Sequence, residues 1–283
     1  MIYETHKITV PYEKFGLSYA GCDPEITVYR TQVRENDIDS KRLYPAVLIC
    51  PGGGYDYCSP RESEPVAVRF SAYGVVSFVL NYSCVKKTFP TALAEAAAAV
   101  AFIRKNSEKY RVDPDKITVM GFSAGGHLAA SLSVYWDSDF IKKPLGFTAE
   151  HKPNAAVLCY PVISSGECAH TSSIENLWGE NPTPETKAAI TAAASLENFV
   201  SETTPPTFIW HTSADDCVPV RNSILYIDAL AKHGVPFEAA FYPCSVHGLS
   251  LADTLTSWRD NQIQPVAAGW VDRALSLIRK AGF

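Results

Sequence analysis

The chain has 283 residues, 47% of them hydrophobic, and a formal net charge of -5. That length can bury a substantial core and suits one large domain. The mild acidity gives no support for nucleic-acid binding or attraction to anionic membranes, and no apolar run is long enough to span a bilayer.

In chain order, Met1 to Lys7 lack a signal-peptide core, so a cytoplasmic protein is expected. Residues 5–10 and 25–30 read as leading strands, an antiparallel pair. The apolar run 45–50 is a buried strand ending in Pro51-Gly52-Gly53-Gly54-Tyr55. A helix over 63–73, a strand over 74–80 and an alanine-rich helix over 91–109 follow. Lys116 to Met120 are β-branched or apolar and form a strand, and Leu128 to Val134 suit a helix. Strands are expected at 155–160, 207–211 and 236–242, with a helix at 220–233 and a closing helix at 265–280. Such alternation implies a mainly parallel sheet covered on both faces. Residues 162–204, helical at 185–193, interrupt it by more than an ordinary connection. They read as a small cap over the site or as a packed surface excursion within one domain spanning 1–283. The eight cysteines are scattered, without a Cys-x-x-Cys pair or zinc spacing, so free thiols and no metal are expected.

Gly121-Phe122-Ser123-Ala124-Gly125 is the segment with the clearest chemistry. A serine on a tight turn from strand to helix is lifted clear of the backbone, and the Ala124 amide is left free at a helix N-terminus. A serine hydroxyl is a poor nucleophile and needs a base, which needs an orienting acid. Asp215 and Asp216 follow one strand and His247 follows another, where open sheets place their sites. Asp215 is the favoured acid, and Asp216 reads as a turn or helix N-cap residue. Of the other histidines, His6, His151, His170 and His233 read as solvated, His211 as a core residue, and His127 as structural. The three glycines after Cys50 let backbone amides approach a negative oxygen, so Gly53, Gly54 and Ala124 are the expected donors. A phosphate loop lacks support, because no Gly-Lys-Ser/Thr ending follows. Tyr55, Tyr57, Phe122 and Trp178 are bulky candidates to wall off long acyl chains, to stack on a sugar ring, or to fill the core.

Taken together these residues resemble a known family. Pro51 to Tyr55 look like a variant of the His-Gly-Gly-Gly motif of hormone-sensitive-lipase-like esterases. With Ser123, Asp215-x-x-Val218-Pro219 and His247-Gly248, the chain resembles bacterial α/β-hydrolases of the acetylesterase or acetyl-xylan-esterase kind, from about Tyr44 to about Leu251. The resemblance implies an α/β-hydrolase fold and a serine esterase without cofactor. Ser123 would be nucleophile, Asp215 orienting acid and His247 base. The substrate would be a small ester or an acetylated oligosaccharide. Pro51 stands where the lipase-like motif has a histidine that braces the loop. Rival classes are a peptidase on the same scaffold and a non-catalytic binding protein, and the sequence leaves a homo-oligomer open.

Overall fold

The computed structural model describes residues 1–18, 21, 23–32, 41–146 and 149–282. Its strands are β1 (Ile2–Lys7), β2 (Glu25–Arg30), β3 (Tyr44–Cys50), β4 (Val76–Asn81), β5 (Val112–Phe122), β6 (Ala155–Cys159), β7 (Thr207–Thr212) and β8 (Phe237–Tyr242). They form one sheet in the order β1-β2-β4-β3-β5-β6-β7-β8. β2 is antiparallel to β1 and β4, and the strands from β4 to β8 run parallel. The first strand lies three residues earlier than its sequence pattern suggests, because Ile2 to Lys7 pair in register with Arg30 to Glu25.

Between the strands come helices α1 (Glu64–Ala72), α2 (Thr91–Lys105), α3 (Ser107–Tyr110), α4 (Ala124–Tyr135), α5 (Asp139–Lys142), α6 (Thr171–Asn176), α7 (Pro184–Ala193), α8 (Arg221–Lys232), α9 (Pro265–Ala268) and α10 (Trp270–Lys280). The expected helix over 91–109 is two. The Asn106 amide donates to the Phe102 carbonyl at 2.8 Å and ends α2, as a short polar side chain that competes with the backbone ladder does. The expected closing helix is likewise interrupted at Gly269.

Both faces of the sheet are buried. Ala46, Leu48 and Cys50 of β3 point into a core shared with α2, α4 and α8, whereas Val47 and Ile49 point into one shared with α1 and α10. Strands buried on both sides need continuous apolar runs, which is why the alternation seen in half-exposed strands is missing here. The alanines of α2 let it lie close to the sheet, and Ala94, Ala96, Ala97 and Ala99 are fully buried.

Strand β5 and helix α4 meet at the tightest point of the fold. A Cβ on Gly121 would run into the Gly125 carbonyl, and one on Gly125 would run into the carbonyls of Cys50 and Pro51. The chain turns between them at Ser123, whose φ of 52° is left-handed. Gly121→Ala should therefore lower unfolding free energy by about 2 kcal/mol or more, as overpacking against backbone does. Gly269→Ala, where the nearest atom is at 3.5 Å, should be close to neutral. Urea titration of both variants checks this.

Candidate active site

The carboxyl ends of the strands set the site. Cys50 of β3 is in register with Gly121 of β5, and Phe122 with Cys159 of β6. The glycine loop after β3 and the Ser123 turn after β5 therefore emerge side by side. The loops after β7 and β8 emerge on the same edge, since Thr212 pairs with Tyr242. Ser123 is held by its own backbone: its amide donates to the Cys159 carbonyl at 3.0 Å, and its carbonyl accepts from His127 and Val162, each at 3.1 Å.

Ser123, His247 and Asp215 lie in hydrogen-bonding sequence. His247 Nε2 is 2.9 Å from Ser123 Oγ, and His247 Nδ1 is 2.8 Å from Asp215 Oδ2. The carboxylate can only accept, so Nδ1 carries the proton and Nε2 is left to accept from the serine hydroxyl. Asp215 is walled in by donors: the amides of Cys217 and Val218 reach Oδ1 at 2.9 and 2.8 Å. Burial pushes its carboxyl upward, but hydrogen bonds from His211, His247 and the Cys217 amide outweigh burial and hold it well below the usual carboxylate range. Asp215 is therefore ionised.

Asp216 does not cap a helix. α8 begins five residues later, and Asp216 Oδ1 instead accepts the backbone N–H of His247 at 3.2 Å, tying the two loops together. His211 is buried, with its Nε2 proton shared between the Val218 carbonyl at 2.9 Å and Asp215 Oδ2 at 3.4 Å and Nδ1 accepting from Ser223 at 2.7 Å. His127 is also buried. Its Nε2 donates to the Ala194 carbonyl at 3.0 Å and its Nδ1 accepts from the Tyr55 hydroxyl at 2.9 Å, joining α4 to the glycine loop and to the 162–204 segment. His151, expected in solvent, is buried with Nε2 on the Trp136 carbonyl at 2.7 Å.

Gly53 and Gly54 line the cleft with Ser123, at φ of 125° and 66°. A Cβ on Gly53 would strike the Tyr57 carbonyl, and the Gly53 carbonyl closes the turn by accepting the amides of Asp56 and Tyr57 at 2.9 and 3.3 Å. Ala124 follows Ser123 at the start of α4, its methyl buried. The loop is braced without a histidine at position 51. The Tyr82 hydroxyl donates to the Pro51 carbonyl at 2.7 Å, the Gly52 amide to Glu62 at 2.8 Å, and the Asn176 amide to the Gly54 carbonyl at 2.9 Å.

The cleft encloses about 600 Å³. The three aromatic residues expected to bind substrate are elsewhere. Tyr55 is buried behind the loop, its hydroxyl committed to His127. Phe122 is fully buried against Tyr160 and Trp270, because strand alternation aims it into the core while the next residue turns outward. Trp178 lines a separate depression beside Thr88 and Pro182, with Nε1 on Thr191 Oγ1 at 3.0 Å. The aromatic side chains that do line the cleft are Tyr57, 52% exposed, and Trp258, 68% exposed. The Arg61 guanidinium lies 4.6 Å over the Trp258 ring, a cation–π contact that restrains it. His170, expected in solvent, lines the cleft from the 162–204 segment, with Nε2 3.4 Å from Cys217 Sγ. That segment is pinned to the domain where the Asn222 side chain accepts the amides of Ile163 and Ser164, both at 2.9 Å.

The seven described cysteines are free, and Cys22 lies outside the described residues. Among the described residues, no three His, Cys, Asp or Glu side chains are grouped to hold a metal ion, and no helix is long and apolar enough to cross a membrane.

This sheet, with a serine on the turn between β5 and α4 and an acid and a histidine on later loops, defines an α/β-hydrolase. The chain belongs to the BD-FAE family, whose profile matches residues 35–230. Among its relatives, endo-1,4-beta-xylanase B of Butyrivibrio fibrisolvens is 39% identical over 211 residues, 73% of this chain and 33% of that protein. An acetylxylan esterase of Xylanibacter ruminicola is 29% identical over 223 residues, 77% of this chain and 44% of that one. The chain thus spans less than half the length of these two proteins. The crystal structure of an acetyl ester-xyloside bifunctional hydrolase from Caldicellulosiruptor lactoaceticus is 39% identical, with a TM-score of 0.74 over 89% of this chain and 88% of that one.

Burial at the His127 site has a consequence for stability. It pushes the imidazole down from 6.5 to about 4, so the ring is neutral in the fold. As the pH falls below about 6.5 the unfolded chain takes up a proton that the folded chain refuses. Stability therefore drops between about pH 6.5 and 4, by about 1.4 kcal/mol per pH unit from this residue, and its contribution levels off below. In urea unfolding, the loss between pH 7 and pH 5 should be about 2 kcal/mol smaller in His127→Gln than in the wild type.

Proposed function

We propose that this chain is a serine carboxylic-ester hydrolase that removes short acyl groups, acetyl above all, from acetylated xylo-oligosaccharides. The observation that carries the reading is the hydrogen-bonded series from Asp215 through His247 to Ser123, with distances of 2.8 and 2.9 Å, on the floor of an open cleft. Among the described residues no protein acceptor takes the amide protons of Gly53, Gly54 or Ala124, which leaves them for a ligand.

The reaction runs in two steps. Ser123 Oγ bonds to the ester carbonyl carbon as His247 Nε2 takes its proton, and the carbonyl electron pair moves onto oxygen. The amides of Gly53, Gly54 and Ala124 hold that oxyanion, each donor contributing on the order of 10²–10³ in rate. The ionised Asp215 fixes the imidazole tautomer and stabilises the imidazolium. The tetrahedral intermediate collapses, the bond to the alcohol oxygen breaks, and the alcohol leaves with the proton from His247. Water then gives a proton to His247 and attacks the acyl-enzyme, and the acid departs as Ser123 recovers its proton.

The names of the relatives from Butyrivibrio, Xylanibacter and Caldicellulosiruptor support a xylan-derived alcohol and an acetyl group. The cleft supports it physically. An exposed indole and phenol ring, Trp258 and Tyr57, offer flat apolar faces beside polar groups such as Asn176 and Asn261, the mixture a sugar ring needs. Residues 162–204 act as a cap through His170, Ser172 and Asn176, which form one wall of the cleft.

Acetate release from acetylated xylo-oligosaccharides, beside 4-nitrophenyl esters from acetate to octanoate, tests the reading. Ser123→Ala should lower kcat by at least about 10³-fold, and activity should fall steeply with acyl length. Acetate release that survives Ser123→Ala would sink the serine mechanism, and activity on aryl esters alone would discard the sugar. Trp258→Ala should raise KM for the acetylated oligosaccharide about tenfold while leaving 4-nitrophenyl acetate unchanged, the loss of one stacking face.

A further inference from the structure

We infer that Glu62 is a positioning residue for this chemistry, a buried carboxylate that holds the glycine loop and the histidine loop in register with each other. The inference rests on the proposed role of Ser123, His247 and the loop amides.

Glu62 is 4% exposed, and none of the ion pairs among the described residues involves it. A buried carboxylate without a cation is costly unless its oxygens are satisfied. Here each oxygen serves a different part of the site. Oε2 accepts the amide of Gly52 at 2.8 Å, one residue before the proposed oxyanion donors. Oε1 accepts the hydroxyl of Tyr160 at 2.7 Å. The Tyr160 oxygen in turn accepts the amide of Ser250, three residues past His247, at 2.8 Å, and the Tyr160 ring meets the His247 ring edge-on at 5.0 Å. Ser250 Oγ then donates back to the Arg61 carbonyl at 2.8 Å and closes the circuit.

Two further observations separate this from an ordinary core brace. The circuit is packed against the serine: a Cβ on Gly52 would lie 2.7 Å from Glu62 Oε2 and 3.1 Å from Ser123 Cβ. Its members also bear strained backbone. Tyr160 and Ser250 have φ of 38° and 53°, beside Ser123 at 52°, and all three are non-glycine residues. Such conformations persist only where the surroundings over-determine them. Tyr160 leaves β6 in this conformation with its amide on the Trp210 carbonyl at 2.7 Å, and the Glu62 bond fixes the far end of its ring. A carboxyl group offers two acceptor oxygens, which suits a residue that must hold two loops from one point.

Glu62→Ala, Glu62→Gln and Tyr160→Phe on 4-nitrophenyl acetate test the inference, with kcat and KM separated and fluorophosphonate labelling of Ser123 timed in parallel. Glu62→Ala should lower kcat and the labelling rate about 100-fold with KM changed less than about threefold, the effect of a misplaced reacting group. Glutamine keeps an acceptor for Gly52 but turns its amino group toward a Tyr160 oxygen already accepting from Ser250, so Glu62→Gln should recover about tenfold of that loss. Adding Tyr160→Phe to Glu62→Ala should cost less than Tyr160→Phe costs alone, because the two share one bond and only the Ser250 contact of Tyr160 is left to lose. The inference is overturned if Glu62→Gln and Tyr160→Phe both stay within about twofold of wild type, if the double variant is additive, or if activity tracks only the folded fraction read by thermal melting. If Glu62→Ala does not fold, Glu62→Gln and Tyr160→Phe carry the test. A failure of the triad itself reads differently, as ester hydrolysis that survives Ser123→Ala.

Discussion

The structure turns on one steric contact, the approach of α4 to the ends of β3 and β5. Gly125 sits against the carbonyls of Cys50 and Pro51, and Gly121 against Gly125. No side chain can be interposed there, so the chain between those glycines must turn sharply, and Ser123 takes a φ of 52° that an L-residue adopts at a cost of about 1–3 kcal/mol. That cost is offset by the burial of α4, whose residues from Ala124 to Tyr135 are all buried. The same contact delivers the glycine loop to the serine, since Gly125 packs on the two residues that precede it. One close approach thus fixes the serine, the start of the helix and the neighbouring amides together.

The loops after β7 and β8 are anchored by burial of Val218, Leu249 and Leu251 and joined to each other by polar contacts. Asp215 gathers its own turn through the Cys217 and Val218 amides and reaches His247 across the gap, and Asp216 reaches the His247 backbone. Acids in two directions from one turn make the histidine's position a property of the pair of loops. Rigid strands set the separation to within a few ångströms, and hydrogen bonds at 2.8 to 3.2 Å complete it. This division of labour follows from chemistry. Apolar burial is non-directional and holds a loop without aiming its side chains, so charged and amide groups with fixed geometry do the aiming.

Chain order and strand ends were enough to name Ser123, His247 and Asp215, three side chains that lie within hydrogen-bond distance. Each follows a legible strand, and open sheets present such positions on one edge. The parallel sheet was legible for the same reason, in apolar runs such as Ala46 to Cys50. What the sequence withheld is lateral. Phe122 neighbours Ser123 in the chain but faces the other way, and Tyr55 neighbours Gly54 but points back to His127. Trp258 sits in a stretch without periodicity, and nothing in its local sequence says that Arg61, about two hundred residues earlier in the chain, holds it over the cleft. His170 and Glu62 are likewise defined by partners distant in sequence, Cys217 and Tyr160. Bulk near a motif is therefore weak evidence for substrate contact, because alternation along a strand sends half of such residues into the core.

Buried acids show how far burial alone decides ionisation. Glu95, fully buried on α2, accepts from Ser83 and Tyr12, yet burial prevails and its carboxyl is raised. Asp215 is also buried, and burial is again the largest single influence, but its partners prevail and its carboxyl is lowered. The two sets of partners differ in kind. The hydrogen-bond donors of Glu95, Ser83 and Tyr12, are neutral, and the charge of Lys87 adds the smallest of the downward influences. Asp215 faces two imidazoles, and in the proposed mechanism one of them gains a full positive charge when it accepts a proton from Ser123. An acid whose charge is secured before the imidazolium forms needs no reorganisation when it does, which is what electrostatic preorganisation requires. Under that mechanism the arrangement of His211, His247 and the Cys217 amide around one carboxylate serves the reaction as well as the fold.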